Sequence, residues 1–78
     1  MNKHFTFDAN GTRFRITLAE HPDGVLIALP DFYWAVTVSK HAPPDAGWLR
    51  SHGLENHADA ASLADYLGGH WLALLVLL

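Results

Sequence analysis

The chain predicts an α+β domain, with an antiparallel meander in its first half and one core-facing helix in its second. Three observations carry that expectation. Apolar residues alternate with period two on either side of Asn10-Gly11, turn dipeptides punctuate residues 1–40, and apolar residues recur with a helical period from Ala60 to Leu67.

Phe5 and Phe7 alternate with His4, Thr6 and Asp8, and Phe14, Ile16 and Leu18 alternate with Arg13, Arg15 and Thr17. Asn10-Gly11 between them tolerates the positive φ angles of a tight hairpin turn. Strands are therefore expected at about 4–9 and 12–20. His21-Pro22-Asp23-Gly24 supplies a fixed φ, a self-capping side chain and a glycine, which places a second turn before a strand at 24–29. Val25–Leu29 is apolar on both faces. Pro30-Asp31 interrupts it, and a fourth strand over 32–39 resumes the alternation, with Phe32, Trp34, Val36 and Val38 on one side and Tyr33, Ala35, Thr37 and Ser39 on the other.

Pro44 and Gly53 suit the two ends of a short helix at 44–52 carrying Trp48, Leu49 and His52. The main helix is expected at 57–67, because Ala60, Leu63, Ala64 and Leu67 follow the i, i+3, i+4, i+7 rule and Asn56 is a good N-cap. Gly68 can close it in a left-handed conformation. Two consecutive glycines cost a helix interior about 2 kcal/mol relative to alanine, so the apolar run after them reads as a buried strand at 71–77. With Val25–Leu29, that strand makes the second face of the sheet apolar. Either residues 41–55 or another chain must then cover it.

Seventy-eight residues, half of them hydrophobic, make a single domain over 1–78 with a small core. Without cysteine there is neither a disulfide nor a thiolate zinc site to stiffen it, which raises the prior for self-association. The N-terminus lacks the apolar stretch of a signal peptide, and the C-terminal run is less than half the roughly 20 residues of a membrane span. A cytoplasmic protein with no membrane partner is the expectation. Net charge is −3, with four basic and four acidic side chains in residues 1–40 and only Arg50 against Asp45, Glu55, Asp59 and Asp65 beyond. That balance argues against nucleic acid, which calls for a basic face.

No stretch carries the spacing of a catalytic motif. Ser39, Ser51 and Ser62 lie in no nucleophile elbow, and Gly68-Gly69 closes a helix where a phosphate loop would open one. Six histidines raise the question of a metal, with His52, His57, His70 and Asp59 as the set that could converge. Their spacing matches no zinc motif, so no metal and no cofactor is expected. A histidine-based metal-binding protein remains one alternative reading, and a homodimeric structural module the other.

The leading expectation is a non-enzymatic protein–protein interaction protein, an inhibitor or adaptor that binds a larger complex. Tyr33, out of phase with the core, and Trp48, in the connector, are candidate aromatic anchors. Glu55, Asp59 and Asp65 are candidate contacts to a basic partner surface. In size and in the absence of catalytic motifs the chain is similar to phage-encoded inhibitors such as anti-CRISPR proteins.

Overall fold

The computed structural model describes residues 2–78. Four antiparallel strands, β1 (Asn2–Ala9), β2 (Thr12–His21), β3 (Gly24–Leu29) and β4 (Trp34–Val38), form one sheet in the order β1-β2-β3-β4. A short helix α1 (Ala46–Ser51) and a long helix α2 (His57–Leu77) follow. The α+β meander read from the sequence is the fold.

The turns form where the sequence places them. Asn10 and Gly11 take φ of 53° and 76°, the consecutive left-handed pair of a tight hairpin, and the register runs from Ala9↔Thr12 to Asn2↔Ala19. Gly24 has φ of 149°, and a Cβ there would overlap the Val38 carbonyl, so only glycine fits. Pro30–Phe32 forms a single 3-10 turn between β3 and β4. Tyr33 ends it in the left-handed region, which shortens the expected fourth strand to 34–38.

One side of the sheet carries the core. Ile16, Leu18, Val25, Ile27, Leu29 and Val38 pack with Leu49 and Leu54 from the α1 region and with Ala60, Leu63, Leu67, Trp71 and Leu74 from α2. At the β1–β2 end an aromatic ladder extends it. Tyr66 stacks on Phe7 with centroids 4.3 Å apart, Phe7 on Phe14 at 4.8 Å, and Phe14 meets Phe32 edge-on.

Two sequence expectations are corrected. Residues 41–55 do not lid the second sheet face; they fold onto the same side as α2. No lid is required, because β3 shows that face only Leu26 and Ala28. Both are half-buried between cross-strand neighbours, Ala19 and Thr37 for the first, Thr17 and Ala35 for the second.

The second correction is larger. Residues 71–77 are not a buried strand but the second half of α2, which runs unbroken through Gly68-Gly69. Asn56 caps it, its Oδ1 accepting from the Asp59 N–H at 3.0 Å. Trp71, Leu74, Leu75 and Leu78 continue the inward stripe begun by Ala60, Leu63, Ala64 and Leu67. The Trp71 indole N–H donates to the Lys40 carbonyl at 3.1 Å, pinning this half beside the end of β4. Burial of those side chains, each on the order of 1.5–3 kcal/mol, outweighs the roughly 2 kcal/mol helix cost of the two glycines.

Candidate functional site

The inward stripe of α2 fixes what its opposite side must be. With 3.6 residues per turn, Asp65, Gly69, Leu72 and Val76 lie along the line facing away from the sheet, with Gly68 and Ala73 on either flank. Leu72 is 79% exposed, Val76 85% and Leu77, at the edge of the face, 51%. Beyond Asp65 no residue of the chain carries an acidic or basic side chain apart from His70. The outcome is an uncharged apolar ridge, held rigid by the buried side of its own helix.

The glycines sit within this ridge. A Cβ added to Gly68 or Gly69 would meet nothing within 4 Å, and neither has a positive φ. Nothing among the described residues therefore calls for glycine at either position, in contrast to Gly24. Gly53 differs from both, with φ of 108° and the Trp34 ring 3.3 Å from where a Cβ would stand.

The residues singled out by sequence reasoning lie on several elements. Tyr33 projects from the 3-10 turn, 99% exposed. Trp48 is half-buried on α1, its ring stacked on His52 with centroids 3.8 Å apart. Glu55 is exposed in the link before α2, Asp59 stands in the first turn, and Asp65 is exposed at mid-helix. Only Asp65 adjoins the ridge. It also borders a depression of about 510 Å³ lined by Phe7, Asn10, Ser62, Tyr66 and His70, among others. Partial burial there raises the Tyr66 phenol above its ordinary pKa.

Several polar groups are committed to structure. Ser62, buried, accepts from the Asn10 side chain at 2.9 Å and so ties α2 to the first turn. Ser51 Oγ and His52 Nδ1 approach to 3.1 Å, but both donate to the Trp48 carbonyl, each at 2.8 Å. A ring nitrogen that is donating cannot take the serine proton. His70 donates to the Tyr66 carbonyl at 2.9 Å. Among the described residues no three of His, Cys, Asp and Glu come together as metal ligands, and His57 and His70 are about 20 Å apart along the helix.

No family model, curated protein or solved structure matches the chain.

Helix α2 is also long and apolar enough to cross a membrane by length and composition, with mean hydropathy 1.3 over an 18-residue window of which 33% is buried. The run counted from Trp71 alone falls short of that length, and continuity through the glycines supplies it. Leu63, Leu67, Trp71 and Leu74, however, are engaged with the sheet.

Proposed function

We propose that the protein is a non-enzymatic interaction module that docks the outward face of α2 onto another protein chain. The observation that carries this reading is the pair Leu72 and Val76, almost fully exposed on a helix whose other side is locked into the core. Burying each would contribute roughly 1.5–3 kcal/mol, and a face already ordered loses little entropy on docking. The role this suits is that of a small inhibitor or adaptor. Tyr33 and Trp48, on other elements, are then secondary anchors, Asp65 borders the docking face, and Glu55 and Asp59, farther from it, add acidic charge that speeds encounter with a basic surface.

The test compares tagged wild type with Leu72→Glu/Val76→Glu in host lysate that also contains untagged copies of the chain, alongside neutral and anionic lipid vesicles. Wild type is expected to retain protein, the double variant to lose it with an unchanged melting curve, and neither to bind vesicles. Equal retention by both would remove the reading. Vesicle binding by wild type alone would replace it with a lipid-facing helix.

A further inference from the structure

We infer that the occupant of this ridge is a second copy of the chain, paired antiparallel across a two-fold axis near Leu72 and Ala73. The inference rests on the docking reading above and names its partner.

The arrangement of sizes along the ridge supports it. The centre line carries a glycine at 69 and a valine at 76, equidistant from a point between residues 72 and 73. A two-fold axis through that point seats Val76 of each copy over Gly69 of the other. An isologous interface must be self-complementary in this way, a projection matched by a gap on the same surface. Leu72 of the two copies then meets at the axis beside paired Ala73.

The two glycines gain a physical reason. Each weakens the helix, neither is required by its own φ, and the space where a Cβ would stand is open. Close approach of a second helix backbone uses that space.

Charge selects the orientation. Asp65 lies on the same centre line, so a parallel pair would set two carboxylates against each other. The antiparallel pair separates them by about fifteen residues of helix, roughly 22 Å. Between Gly68 and Leu77 the ridge has no acidic or basic side chain to demand a complementary partner, with His70 at its margin. An uncharged, size-matched surface fits itself.

The contact is short. Ten helical residues span about 15 Å, and an interface of that length lies at the low end of the roughly 1,000 Å² that specific association needs. A reversible dimer with micromolar dissociation is expected. It would present Tyr33, Trp48 and Glu55 twice to any larger partner.

Sedimentation from about 5 to about 200 µM tests the pairing, since mass action makes it concentration-dependent. Wild type should move from monomer toward dimer mass, and Leu72→Glu/Val76→Glu should stay monomeric. Gly68→Ala/Gly69→Ala should dissociate at a concentration about tenfold or more higher while melting higher when dilute. Because the chain lacks cysteine, Leu72→Cys gives a clean cross-link at the axis, whereas Asp65→Cys should give none. A wild type monomeric throughout overturns the inference, as does tighter pairing by the alanine variant or equal cross-linking at both cysteines. A monomer whose capture of another host protein is still lost in the double variant leaves the docking reading standing; a monomer with unchanged capture ends both.

Discussion

Residues 57–67 and 68–77 belong to one helix and share one inward stripe, yet they turn opposite surfaces to solvent. The first half shows His57, Ala58 and Asp65, and the second shows Leu72, Ala73 and Val76. Where the outward side is polar, the helix is complete as a lid on the sheet. Where it is apolar and flattened by two glycines, the same lid has a surface to spare. The inward residues explain the fold, and the outward residues of the second half find no use within it.

That contrast is most severely tested by removing equal chemistry from its two sides. Leu67→Ala, at a site with no exposure, should cost about 2–5 kcal/mol, read as a lowered urea midpoint with unchanged slope. Leu72→Ala at low concentration should change stability by about 0.5 kcal/mol or less. A comparable loss at both would mean that the ridge is part of the fold after all.

Glycines sharpen the comparison next. Gly24→Ala should destabilise by at least about 2 kcal/mol, since its left-handed backbone and the Val38 carbonyl both exclude a side chain. Gly69→Ala alone, at a dilution that keeps the chain monomeric, should instead stabilise by about 0.5–1 kcal/mol, a rise of several degrees in Tm. Destabilisation at 69 would reveal a contact within the chain that the open space around it does not show.

The smallest effect lies on the far face of the sheet. Arg15 holds the Asp31 carboxyl below its ordinary 3.8, chiefly through a hydrogen bond, against an opposing desolvation and with a smaller contribution from charge. A depressed folded pKa stabilises fully above the unfolded value and is lost as pH falls through the folded one. Asp31→Asn should therefore flatten the decline of the urea midpoint below about pH 4 by a small amount, with pairing unaltered. An unchanged acid profile would show the Arg15 contact to be solvent-screened.

Much of this architecture was legible in the residues. Asn10-Gly11 and Pro22-Asp23-Gly24 allow few alternatives to tight turns, period two gave the inward faces, and Asn56 marked the start of α2. The end of α2 misled for a physical reason. Gly68-Gly69 is a strong local stop, and a run apolar on all sides fits a buried strand as well as a helix. The overriding signal was present, since Ala60, Leu63, Ala64, Leu67, Trp71, Leu74, Leu75 and Leu78 keep one helical phase across the glycines. The fate of residues 41–55 was not legible, because which side of a sheet a connector covers depends on the path of the chain beyond it. Likewise the ridge could not be seen while its residues were assigned to a strand; Tyr33 was visible only as an aromatic out of phase and Trp48 only as an aromatic in the connector.

The central claim, that the outward face of 68–77 is where a second copy of the chain docks, is met most directly by amide chemical shifts recorded over a dilution series. Concentration-dependent shifts should cluster at Gly68, Gly69, Leu72, Ala73 and Val76, with Phe14, Ile27 and Leu63 still. Shifts centred instead on Tyr33 and the β4 edge, or on no region at all, would contradict it.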